Sequence, residues 1–144
     1  MGELRWWCGL SVADAAVLEL FLKVLEVEPD EVHTHVPVGG CPDLTVVGGD
    51  AAMVKMAQWS YPRRVDFVLR FGREWWLCEC KPRGRVHAVG QLLAYFYWWC
   101  RDVPECPVSR LVMVTETCDA DVVEFAGHLG IDVVECACLG KSTE

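Results

Sequence analysis

An α/β sandwich built around a mixed sheet is predicted by three features of the chain. An amphipathic helix lies near the start, two apolar strands joined by a tight turn lie in the middle, and strands and helices alternate from there to the end. The 144 residues are 53% hydrophobic and 24% charged, which suits one folded core and excludes a disordered chain. A single domain over residues 1–144 is expected. No run reaches the roughly 18 consecutive apolar residues of a membrane span, and the first residues lack the basic-then-apolar order of a signal peptide. These features predict a cytoplasmic protein without a membrane partner.

The elements follow in order. Ser11 and Asp14 have the spacing of a capping box. Val17, Leu20, Phe21, Val24 and Leu25 then recur at helical spacing, with Glu19, Lys23 and Glu26 opposite and Pro29 closing the region. "EVHTHVPV" (31–38) alternates as a strand does, with His33 and His35 on one side; both could meet a metal or a phosphate, and an exposed strand needs neither. "GGCPD" and "GGD" read as turns, "LTVV" as a short strand, and "AAMVKMAQW" as a strand or a short helix. "RVDFVLRF" and "WWLCECK", joined by "GRE", form a hairpin.

After a loop at Pro82–Arg85, "VHAVGQLLAYFYWWC" is a helix of about four turns. Its wheel places His87, Gln91, Tyr95 and Trp98 on one face and Val89, Leu92, Leu93, Phe96 and Cys100 toward the core. "SRLVMVTE" is the next strand. A helix capped by Thr117 or Asp119 runs to Leu129, Gly130 ends it, and "IDVVECAC" is the last strand. The predicted order is α-β-β-β-α-β-α-β.

Net charge is −8, which argues against a generally basic nucleic-acid-binding surface. The charge is uneven, however: residues 63–110 carry a net +4 and the rest a net −12. Nine cysteines include two C-x-C pairs, Cys78/Cys80 and Cys136/Cys138, but no C-x-x-C. They read as small buried hydrophobes, with a metal site or a disulfide such as Cys100–Cys106 as alternatives.

The positive stretch holds the chemistry. Strand alternation puts Trp75, Leu77, Glu79 and Lys81 on one face of their strand and Trp76, Cys78 and Cys80 on the other. A carboxylate and an ammonium in an apolar strand are costly without partners. Asp66, on the partner strand of the hairpin, is a natural third member. Two carboxylates on adjacent strands can hold one divalent cation with water completing its shell, and a lysine beside it suits a phosphate or an attacking hydroxide. Arg83 and Arg85 directly follow and are candidates for phosphate contact. Trp98 could stack on an unpaired base or sit in a protein interface.

Asp66, then Glu79-Cys80-Lys81, resembles the PD-(D/E)xK nuclease superfamily, with Val65 standing where many members have proline. Gln91 and Tyr95, in "QLLAY", resemble the Q-x-x-x-Y motif of RecB-type nucleases. Residues 61–136 look closest to the catalytic domain of the archaeal NucS/EndoMS endonucleases. That resemblance implies a restriction-endonuclease-like mixed sheet flanked by helices, and a Mg²⁺-dependent (Mn²⁺ as substitute) DNA endonuclease leaving 5′-phosphate and 3′-hydroxyl ends. It implies metal held by Asp66, Glu79 and the main-chain carbonyl of Cys80, Lys81 acting on the water and the phosphate, and Gln91 and Tyr95 orienting the site or contacting the strand. Glu19 could be the first-helix acid some members add, but it lies opposite the apolar stripe, which favours a solvated face. The expected protein is a stand-alone nuclease core acting on branched, mismatched or single-stranded DNA, and a homodimer is plausible from seven tryptophans. The alternatives are a Holliday-junction resolvase and a non-catalytic interaction module on the same fold.

Overall fold

A computed structural model describes residues 11–39, 51 and 63–136. The readings of "LTVV" and "GGD", nearly all of "GGCPD" and "AAMVKMAQW", and the last two residues of "IDVVECAC" lie outside the described residues. Within them the element order is the expected one: α1 (Val12–Val24), β1 (Glu31–Val38), β2 (Arg63–Phe71), β3 (Glu74–Gly84), α2 (Val86–Asp102), β4 (Val108–Cys118), α3 (Ala120–His128) and β5 (Ile131–Glu135).

The strands form one five-stranded sheet in the order β1-β2-β3-β4-β5. The first three are antiparallel, and β3-β4-β5 are parallel. Antiparallel neighbours need only a tight turn, whereas each parallel pair needs a crossover, and α2 and α3 supply them. The fold is the α/β arrangement, a mixed sheet flanked by helices, that the alternation predicted. Among the described residues no helix is long and apolar enough to cross a membrane.

Two cores lie on opposite faces of the sheet. Under α1, Val17, Leu18 and Phe21 pack on Phe67, Leu69, Cys78, Cys80, Val112 and Val114. Under α2, Val89, Leu92, Tyr95 and Trp99 pack on Val65, Val68, Leu77 and Met113. Burying one Leu- or Phe-sized side chain contributes roughly 1.5–3 kcal/mol, so each helix is held mainly by its apolar stripe.

Local signals set the helix ends. Ser11 Oγ accepts from the Asp14 N–H at 3.1 Å, as a capping residue should. Asp119 is the N-cap of α3, and Gly130 ends that helix region at φ +78°, a left-handed conformation glycine adopts without steric cost.

Two details differ from the sequence expectation. In α1 the buried stripe is Val17, Leu18 and Phe21, while Val24 is exposed at the last turn. In α2 the buried stripe runs Ala88, Leu92, Tyr95, Trp99, so Phe96 and Cys100 face outward and Tyr95 belongs to the core. The helix is rotated so that two large aromatics fill the interior; Trp99 also donates its indole N–H to the Cys106 carbonyl at 2.8 Å, tying down the loop to β4. Cys100 and Cys106 are both free thiols.

Candidate active site

The site forms where the sheet opens. The β2–β3 ladder runs from Phe71/Glu74 to Phe67/Cys78 and ends there, so Asp66 and Glu79 face each other just beyond its last pair. On the other side, β1 pairs with β2 at Thr34/Phe67 and Val36/Val65 but not at His35, which has φ +53° and lies opposite Asp66. Asp66 is therefore unzipped from both neighbours. Where β3 leaves β2, the N–H of Cys80 needs an acceptor, and the Asp66 carboxylate (Oδ2) takes it at 2.8 Å.

Glu79 is 2% exposed. Lys81, two residues on and on the same face, brings its Nζ to 3.4 Å from Glu79 Oε1 while its own side chain stays 38% exposed. This positive charge does not set the protonation of Glu79. Burial and the neighbouring Asp66 charge outweigh it and push the Glu79 carboxyl up to about 8 from 4.5. Asp66 is also raised, chiefly by burial, although its hydrogen bond from Cys80 opposes the shift. Both carboxyls of the pair are thus held toward their protonated forms, with burial the leading cause in each.

Three buried side-chain oxygens among the described residues have no hydrogen-bond partner: Glu79 Oε2, Gln91 Oε1 and Thr115 Oγ1. Leaving a buried polar group unpaired costs roughly 1–3 kcal/mol. Thr115 is fully buried and stands in register with Lys81 on the adjacent strand β4, so two of the three orphans border the same carboxylate–lysine group. Tyr95, on α2, is within electrostatic reach of both carboxylates; burial, then the Glu79 and Asp66 charges, push its phenol to about 12. Gln91, one turn earlier, lines a cleft with His87, Tyr95 and Trp98, the helix face expected from the sequence.

The remaining candidates fall around this centre. Arg83 and Arg85 are exposed on the rim, Arg83 with its Nη2 3.8 Å from Asp119. The Cys80 thiol points to the other face, where its Sγ lies 3.9 Å from the Asp14 carbonyl, so only the main chain of Cys80 is available to the carboxylate side. Cys78 and Cys80 are buried among apolar side chains, and burial pushes both thiols up. His33 hydrogen-bonds with Glu31 at 3.0 Å and stacks on Trp75, with ring centroids 6.0 Å apart. Among the described residues no group of three or more His, Cys, Asp or Glu side chains converges as a metal cage.

Two residues were missed in the sequence. Asp14 of α1 is a first-helix carboxylate whose charge acts on Asp66; the sequence pattern marks it only as part of the helix cap. Thr115 was hidden in "LVMVTE", where only the register against Lys81 gives it meaning.

No protein-family model matches the chain, and no curated protein does. Two solved structures are similar. A repair endonuclease from Pyrococcus abyssi aligns at TM-score 0.53 and 14% identity over 93% of this chain and 50% of that one. A protein of unknown function, AF1548, aligns at TM-score 0.46 and 17% identity over 72% of this chain and 47% of that one. The chain spans about half the length of each. The first likeness shows that the fold is restriction-endonuclease-like, as the resemblance implied.

Proposed function

We propose that this chain is a metal-dependent DNA endonuclease of the PD-(D/E)xK type, hydrolysing phosphodiester bonds in branched, mismatched or single-stranded DNA. The observation that carries this reading is the convergence of Asp66, Glu79 and Lys81 in one desolvated site, where burial raises both carboxyls. Two crowded, desolvated carboxyls, with Glu79 Oε2 unpartnered, are an arrangement that a divalent cation relieves. The likeness to an endonuclease fold is consistent with it.

The donor set fits Mg²⁺ or Mn²⁺. Asp66, Glu79 and the main-chain carbonyl of Cys80 would supply the protein ligands, and so few suit a cation that keeps several waters. When bound, such an ion polarises the phosphoryl oxygen and lowers the pKa of a bound water. The chain's own residues do the rest. Glu79 would have to release its proton to serve as a ligand, so affinity for the ion should rise with pH up to about 8. Lys81, anchored at 3.4 Å to Glu79 and half open to solvent, holds the attacking water and offsets charge on the phosphate. The Asp66–Cys80 hydrogen bond keeps the two strands at the separation this requires. Arg83 and Arg85 meet backbone phosphates at the rim.

The test is cleavage of labelled single strands, flaps, mismatched duplexes and four-way junctions. Cutting of at least one with Mg²⁺ or Mn²⁺, abolished by EDTA and poorly supported by Ca²⁺, is expected. Undiminished cutting in EDTA removes the metal role. No cutting of any substrate, with DNA or protein binding intact, leaves the fold as an interaction module.

A further inference from the structure

The cleft beside the carboxylates, we propose, is a subsite for one unpaired nucleobase; the inference rests on the nuclease reading of Asp66 and Glu79 next to it. The cleft measures about 450 Å³, inside the roughly 300–1,000 Å³ common for small-ligand sites. One wall is layered. Gly39 packs so closely on the Trp98 indole that an added Cβ would come within 3.1 Å of the ring, and the Arg63 guanidinium lies 4.9 Å from the ring centroid. A guanidinium backed by an indole is a platform on which nucleobases stack.

The wall made by α2 supplies a selective polar contact. Gln91 lines the cleft, and its Oε1 is buried without a partner. Phosphate and carboxylate oxygens are acceptors and cannot satisfy it, whereas an N–H donor can. The Watson–Crick edge of every unpaired base carries such a donor beside an acceptor, matching a side-chain amide. In a duplex that edge is already occupied by the partner strand.

The cleft is also held open. Gly90 sits inside α2, where glycine weakens a helix relative to alanine. An added Cβ at 90 meets no atom within 4 Å, so packing does not demand glycine there; its bare Cα leaves the cleft unfilled. Finally, Tyr95 lines the cleft and stands within electrostatic reach of Glu79 and Asp66. A base in the cleft therefore lies beside its own phosphate's route to the carboxylates.

The experiment measures equilibrium binding of the full chain, in Ca²⁺, to three fluorescent duplexes. They differ at one position: a paired base, a bulged base, and a bulged abasic analogue. The bulged base is expected to bind on the order of tenfold or more tighter than the abasic bulge, the scale of one base–aromatic stack. Gly90→Phe, which fills the cleft, and Arg63→Ala, which removes an exposed part of its wall, are each expected to erase that preference with melting temperature retained. If Gly90→Phe does not fold, Arg63→Ala decides alone. Equal binding of the base-bearing and abasic bulges, or a preference that survives in the folded variants, overturns the subsite. Cleavage in Mg²⁺ is scored separately. Base preference without cleavage of any DNA sinks the nuclease reading and keeps the subsite; cleavage without base preference does the reverse.

Discussion

The two faces of the central sheet are made by alternate residues of the same strands and follow opposite rules. Facing α1, Phe67, Leu69, Cys78, Cys80, Val112 and Val114 are buried, apolar and packed. Facing α2, the strands begin in the same way with Val68, Leu77 and Met113, but the next positions along β3 and β4 are Glu79, Lys81 and Thr115. One face maximises stability. The other keeps two crowded, buried carboxyls and unpartnered oxygens at a cost in stability. A fold does not accept that cost for packing, since an apolar residue of similar volume is at least as stable there. The difference supports the proposal that the second set acts on something outside the protein, while the first holds it together.

The sharpest contrast comes from truncating the apolar face. Phe67 is fully buried and lies 6.1 Å from Phe21, ring centroid to centroid. Phe67→Ala should cost about 3–5 kcal/mol of unfolding free energy, read from urea melts. A loss below about 1 kcal/mol would mean that α1 contributes little to this core.

On the other face the order of effects reverses. Lys81→Ala should lower the cleavage rate roughly 10²–10³-fold, a loss typical of one removed electrostatic contact to the transition state. Its melting temperature and DNA affinity should stay near those of the parent, because the side chain is partly exposed. Near-normal turnover with a lowered melting temperature would make Lys81 a structural partner of Glu79 instead.

The third prediction concerns pH. The folded pKa of Glu79 lies near 8 and the unfolded value near 4.5, so between them the native state holds a proton that the unfolded chain has released. This contribution is fully present below the unfolded value and is lost as pH rises through the folded one, and Asp66, also raised, adds the same sign. Without divalent ions, stability should thus fall from pH 5 to 8, by up to about 1.4 kcal/mol per pH unit from Glu79. Glu79→Gln should flatten the curve, and Mn²⁺ should reverse it. A pH profile identical in parent and Glu79→Gln would show that Glu79 is ionised throughout.

The smallest effect is at Thr115. Thr115→Val removes an unpartnered buried hydroxyl at nearly constant shape and should raise stability by about 1 kcal/mol. If the hydroxyl serves a ligand beside Lys81, cleavage should fall in the same variant. A destabilised variant would mean that the hydroxyl has a partner in solution.

Much of this was legible in one dimension because strand and helix periods are fixed by backbone geometry. The two-residue period put Glu79 and Lys81 on one face and Cys78 and Cys80 on the other, and the structure keeps that division. The α/β order followed from alternating periodicities, and the Ser11 cap from local hydrogen bonding. Helical spacing also marked His87, Gln91, Tyr95 and Trp98 as one face, which lines the cleft. It did not set how far α2 rolls on the sheet, because an aromatic-rich helix has more than one apolar stripe. Only packing chose Tyr95 and Trp99 over Phe96 and Cys100.

The site's electrostatics belong wholly to the tertiary structure. The hairpin had to open at Asp66 for its carboxylate to reach the Cys80 N–H. Strand β4 had to pair in parallel with β3 before Thr115 stood beside Lys81. Helix α1 had to dock before Asp14 brought its charge near Asp66. Residue types and periods are properties of the chain; desolvation and charge proximity depend on distances between segments far apart in sequence, and those exist only once the sheet has closed.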